Sequence, residues 1–167
     1  DYLERAFDAS KYGEMSPAPY LDVAFPSILD PSMAPAGHHV MSVHMQYAPF
    51  NLKAAAWSGR EDTIADTVLR TLETYAPGIT ALVEHRQVIT PLDLENVYGL
   101  TGGHIHHGEL ALDQLFTMRP TLGWADYRTP IEGLYLCGAG THPGNGLTGA
   151  SGLNAAREIL KTSRRIE

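Results

Sequence analysis

The sequence predicts a mixed α/β fold of the α+β kind, and three observations carry that expectation. Residues 38–47 alternate with period two, residues 58–76 repeat at three and four, and the last third reads as an apolar run, a glycine-rich turn and a helix. In chain order, Leu3, Phe7 and Tyr12 suit one face of a short helix within residues 1–15. Pro17 and Pro19 break it, and Tyr20 to Phe25 reads as a strand closed by Pro26. Two prolines and a glycine make residues 30–37 irregular. From His38 to Tyr47 a second strand is predicted, with His39, Met41, Val43, Met45 and Tyr47 on its more apolar face.

Ser58 to Ala76 predicts the clearest helix, since Ile64, Val68, Leu69, Leu72 and Tyr75 recur on one side until Pro77-Gly78 stops it. A strand is expected from Leu82 to Ile89, followed by a helix opened by Thr90-Pro91. Gly99, Gly102, Gly103 and Gly108 then mark a histidine-rich loop, and Pro120 and Pro130 bracket another irregular stretch. Ile131 to Cys137 reads as a buried strand and Gly138 to Gly149 as a turn. The final helix is expected over Ala150 to Arg164, its apolar stripe being Leu153, Ala156, Ile159 and Leu160.

Charge narrows the function classes. Twelve Lys plus Arg against nineteen Asp plus Glu give a net charge of −7 over 167 residues, and no dense basic face is present to displace phosphate counterions. Nucleic acid is therefore not expected as a partner, and Lys161, Arg164 and Arg165 are assigned to a helix end. With 44% hydrophobic residues the chain can bury a core, but no apolar run approaches the roughly 20 residues that span a bilayer. The single cysteine, Cys137, forms no internal disulfide and lies in an apolar run, which points to a soluble protein of a reducing compartment, cytoplasm or mitochondrial matrix. Asp1 to Phe7 has neither an initiator Met nor a targeting layout, so the sequence reads as starting inside a longer protein.

The glycine-rich turn is the most informative segment. Gly144-Asn145-Gly146-Leu147-Thr148-Gly149 fits GxGxxG, the fingerprint that places a pyrophosphate on helix amides. Its context does not fit, because six residues separate Cys137 from Gly144 and only eighteen follow Gly149, too few for a second strand and its acidic residue. The earlier Gly138-Ala139-Gly140 has Pro143 in the third glycine position. A helix beginning near Leu147 would still aim unpaired N–H groups and a positive dipole end at an electron-rich group, the alternative being a mere tight connection.

The run from Gly133 through Gly138-Ala139-Gly140-Thr141-His142-Pro143-Gly144 to Ala150 resembles the C-terminal region of the phytoene desaturase-like branch of the flavin-containing amine oxidoreductase superfamily. Gly102-Gly103-His104-Ile105-His106-His107-Gly108, Leu112-Asp113-Gln114-Leu115 and Arg119-Pro120 resemble it too. The resemblance implies the C-terminal part of a two-domain FAD/NAD(P)-binding-type fold. Residues 1–125 would belong to the substrate side, and 126–167 would return into the FAD-binding domain. It implies FAD as cofactor, with Gly138, Ala139 and Gly140 approaching its ribityl and pyrophosphate portion. Gly146, Leu147, Thr148 and Gly149 would lie at the flavin end, with amides of Leu147 and Thr148 facing the pyrimidine carbonyl. The N-terminal fingerprint is not in this sequence, so the adenine-binding half is expected from a missing N-terminal nucleotide-binding segment.

The implied activity is hydride removal from an apolar or amphipathic small-molecule substrate. A non-catalytic interaction or scaffold module retaining a structural flavin-type motif is the alternative, and homo-oligomerisation stays open. The sequence assigns no catalytic acid or base. His104 and His106 would share a face of an extended backbone, but glycines surround them and no second Cys joins them, so no metal is assigned. His107 is expected either beside the flavin or at the surface, and His142 in a backbone role. Ser151 does not complete GxSxG, because Leu153 holds the last position, which disfavours a serine hydrolase.

Overall fold

The computed structural model describes residues 1–53, 56–144 and 146–163. They form two compact units, Asp1–Asp93 and Leu94–Glu167.

In the first unit, helix α1 (Tyr2–Lys11) buries Ala6, and Phe7 packs edge-on against Tyr47 at 5.2 Å. The chain leaves α1 through Gly13 at φ +72°, where a Cβ would stand 3.1 Å from both Asn51 O and Lys53 N. Only glycine combines that left-handed backbone with so close a neighbour. Strand β1 (Leu21–Ala24) pairs antiparallel with β2 (Ser42–Met45), Leu21 opposite Met45 and Val23 opposite Val43. The predicted apolar face is thus the more covered one: Met41, Val43, Met45 and Tyr47 are half-buried while Ser42 and His44 are exposed. The strand is shorter than predicted because residues 38–41 are held otherwise. Ser27 Oγ accepts from Val40 N at 3.0 Å and lies 3.1 Å from His39 Nδ1.

Helix α2 (Glu61–Tyr75) buries Ile64 and Leu72 of the predicted stripe together with Ala65 and Thr67, while Val68 and Leu69 are half-buried and Tyr75 is exposed, and Glu61 and Asp62 stand at its positive end. Trp57 is also buried and donates from Nε1 to Phe50 O at 2.9 Å. The predicted strand from Leu82 to Ile89 is not formed. Residues Ile79–Leu82 make a 3-10 turn, capped by the Glu73 carboxylate on Thr80 N and Oγ1, and 83–90 follow as irregular chain. Arg86 reaches Asp62 at 2.6 Å and Asp66 at 3.0 Å, so the segment is tied to α2 by side chains where a strand would need a neighbouring backbone. Helix α3 (Pro91–Tyr98) opens as predicted on Thr90, whose Oγ1 accepts from Asp93 N while the Asp93 carboxylate accepts from Thr90 N and Oγ1. This reciprocal cap holds the Asp93 carboxyl below its usual range.

The second unit is poor in regular structure until helix α4 (Ala150–Ser163). The expected buried strand from Ile131 to Cys137 is replaced by a small antiparallel bridge, Arg128 with Tyr135, supported by Leu136 N to Tyr127 O at 2.8 Å. Leu134 and Leu136 are exposed at 46% and 47%. Burial of a hydrophobic strand requires pairing on its edges, and among the described residues only 127–129 pair with this run. The stripe assigned to α4 is also corrected. Leu153, Ala156, Ile159 and Leu160 are all exposed, and the helix instead buries Ser151 and Ala155. The extension to Arg164 and the role given to Arg164 and Arg165 lie outside the described residues, as does Asn145 of the turn.

One charge pair anchors α4. Arg128 donates from Nε and Nη2 to Glu158 Oε1 at 2.9 and 2.6 Å, and from Nη2 to Thr162 Oγ1 at 2.8 Å. Hydrogen bonds from Arg128, then from Lys161, hold the Glu158 carboxyl below its usual range. A depressed folded pKa contributes stability above the unfolded value of about 4.3, lost as pH falls through the folded one. Thermal melts between pH 6 and 3 are therefore expected to fall less steeply in Glu158→Gln than in the wild type. Parallel pH profiles would refute the coupling.

Candidate functional site

The site is built by the turn between Gly138 and α4. Thr141 N donates to Gly138 O at 3.1 Å and Gly144 N to Thr141 O at 2.7 Å, folding the chain back twice within seven residues. The buried hydroxyls of Thr141 and Ser151 lie 2.6 Å apart and both contact Gly138 O, while Ser151 Oγ accepts from Gly138 N at 3.1 Å. Ser151 thus fastens the first turn of α4 to the start of the glycine segment, and its hydroxyl is committed to structure. From the other side, Tyr127 OH donates to His142 O at 2.7 Å and accepts from Asn154 Nδ2 at 2.9 Å.

These ties hold open a cavity of about 610 Å³ lined by Cys137, Gly138, Ala139, Gly144, the run from Gly146 to Gly152, and Ile105 and His106. Six of the seven predicted positions meet there: Gly138, Ala139, Gly146, Leu147, Thr148 and Gly149. Gly140 is the exception. A Cβ on it would stand 2.9 Å from His107 Cδ2, so its role is to let the His107 ring lie against the turn. Gly138, at φ +118°, has nothing within 4 Å along its Cβ direction, and Gly149, at φ +69°, is equally open. Five of the lining residues are glycines, so main chain forms part of the wall and can approach a ligand closely.

Two expectations shift. Helix α4 begins at Ala150, so Leu147 and Thr148 lie in the turn before it, and Leu147 is fully exposed. The dipole end belongs to the amides of Ala150 to Gly152, which also line the cavity. Cys137, expected in a buried strand, is exposed on the cavity wall because that strand is not formed.

On the opposite wall, the histidine loop is fixed by Arg119. Its guanidinium, 2% exposed, donates from Nε to Ala139 O at 2.9 Å and from Nη2 to His107 O at 2.6 Å and His106 O at 3.3 Å. His107 takes a left-handed backbone at φ +63° to present that carbonyl. His104 and His106 stack edge-on at 5.8 Å, and burial, then the neighbouring His106, holds His104 below the usual imidazole range. Among the described residues no three His, Cys, Asp or Glu side chains converge in a metal-binding group. Sequence patterns single out the glycines, and Thr141 only as a member of the run from Gly138 to Gly144, but not Tyr127 or Asn154, whose spacing is that of ordinary loop and helix residues. Arg119 enters only as part of an Arg-Pro pair.

The chain is 45% identical over 166 residues to pyridine nucleotide-disulfide oxidoreductase domain-containing protein 2 of Rattus norvegicus, an alignment covering 98% of this chain and 29% of that protein. The chain is thus similar to that protein along almost the whole of its own length. It is also 30% identical over 147 residues to a limonene dehydrogenase component of Castellaniella defragrans, covering 83% of this chain and 26% of that protein. With a lycopene-forming phytoene desaturase of Paracoccus sp. it shares 32% over 137 residues, 76% of this chain and 25% of the desaturase. The chain thus spans less than a third of these relatives, whose names are those of an oxidoreductase, a dehydrogenase and a desaturase. No protein-family profile and no solved structure matches it. Among the described residues no helix is long and apolar enough to cross a membrane.

Proposed function

We propose that this chain is part of an FAD-dependent oxidoreductase of the desaturase-like kind and completes the flavin end of its site. The observation that carries the proposal is the glycine-rich cavity joining Gly138 and Ala139 to Gly146, Leu147, Thr148 and Gly149 just before α4. Its residues fit such a group. The glycine stretches of the wall leave room for a flat ring system, and the amides of α4's first turn favour an electron-rich carbonyl at its edge. When bound, FAD supplies the two-electron acceptor for a hydride leaving a substrate C–H bond, its electrons then passing to a separate acceptor. The chain's own residues position that group: Gly138 and Ala139 by the ribityl and phosphate side, Gly146 to Gly149 by the ring, with Arg119 and Tyr127 holding the two walls and Gly140 making room for the His107 ring behind them.

In this proposal residues 126–167 return into the FAD-binding domain and 1–125 serve the substrate side, while an N-terminal nucleotide-binding segment holds the adenine half. The substrate is an apolar or amphipathic small molecule, and the protein works in a soluble, reducing compartment. Absorbance tests it: the full-length protein carrying this chain is expected to purify with flavin bands near one FAD per chain, and these 167 residues alone to retain little or none. A colourless full-length protein under FAD supplementation would sink the proposal in favour of a non-catalytic module.

A further inference from the structure

Arg119 carries a charge that its surroundings do not neutralise. It is 2% exposed and forms no ion pair among the described residues, since its partners are the carbonyls of Ala139, His106 and His107. Its Nη1 has no hydrogen-bond partner there. Burying a cation against neutral dipoles, with one donor orphaned, is unfavourable unless something nearby benefits from the positive charge. Two of its three carbonyl partners, on Ala139 and His106, belong to wall residues of the cavity. The guanidinium lies behind that wall, bonded to its main chain and 2% exposed, where water screens it little.

We infer that Arg119 is a positioning residue that also supplies a fixed positive charge to the cavity, raising the reduction potential of the flavin held there. The inference rests on the flavin reading above. Protein charge close to a flavin tunes its electronics, and a buried cation favours the form bearing the additional electrons. The same side chain clamps the 106–107 loop to Ala139, so its two roles must be separated by experiment.

The test is the potential of the flavin bound to the full-length protein, measured by equilibration with a reference dye, in wild type, Arg119→Lys, Arg119→Gln and Arg119→Met. Removing the charge is expected to reduce the preference for reduced over oxidised flavin about tenfold or more, which is about 30 mV for a two-electron couple. Arg119→Lys, which keeps the charge but not the fork, is expected to stay near the wild type. Should Arg119→Gln fail to accumulate, Arg119→Met removes charge and solvation demand together and gives the same readout. Wild-type potentials in both neutral variants would overturn the inference and leave the flavin reading intact. A wild-type protein that binds no flavin would overturn both.

Discussion

Replacing Trp57 by alanine is expected to destabilise the first unit by about 3–5 kcal/mol, the usual range for truncating a buried aromatic. Trp57 is 4% exposed, and the other buried apolar side chains described in its unit are the small set Ala6, Ile64, Ala65 and Leu72, so few large side chains remain to collapse into the space. The indole also donates to Phe50 O, and its loss would leave that part-buried carbonyl unpaired, which adds to the cost. Because domain stabilities are about 5–15 kcal/mol, much of the unit's margin would go. Urea unfolding followed by far-ultraviolet circular dichroism measures it, and a loss below about 1 kcal/mol would contradict the packing described.

The largest functional effect is expected at Gly138. Valine there would be forced into φ +118°, a region essentially restricted to glycine, and its side chain would enter the cavity, since nothing stands within 4 Å along the Cβ direction. Such backbone strain costs about 1–3 kcal/mol by itself. Flavin content of Gly138→Val, read as the ratio of flavin to protein absorbance in the full-length protein, is expected to fall at least about tenfold, the equivalent of 1.4 kcal/mol. Gly123→Val is the control: Gly123 also has positive φ, at +87°, and open space, but it is not a cavity residue. Equal flavin content in the Gly138→Val and wild-type proteins would remove the turn from the cofactor site.

The sequence by itself determined where helices α1, α2 and α3 lie, the short hairpin face, and the turn as the place of interest. Those features are local. A three-to-four repeat from Ile64 to Leu72, a Thr90-Pro91 start and clustered glycines act through neighbours a few residues away. It also carried the family resemblance, because the Gly138 to Gly149 motif is contiguous in the chain.

What only the tertiary structure decided depends on residues far apart in sequence. Whether Leu82 to Ile89 or Ile131 to Cys137 becomes a strand turns on a partner backbone. Arg86 binding across to Asp62 and Asp66, and the single bridge of Tyr135 to Arg128, settled both against it. The α4 stripe was misassigned for the same reason. Periodicity marks an apolar face, yet the polar partners at Gly138, Thr141, Tyr127 and Arg128 draw Ser151, Asn154 and Glu158 inward and leave Leu153 and Leu160 outside. Arg119 is the clearest case. A guanidinium is normally a surface group, and nothing in its neighbours along the chain shows that three carbonyls, twelve to twenty residues away, hold it behind the cavity wall.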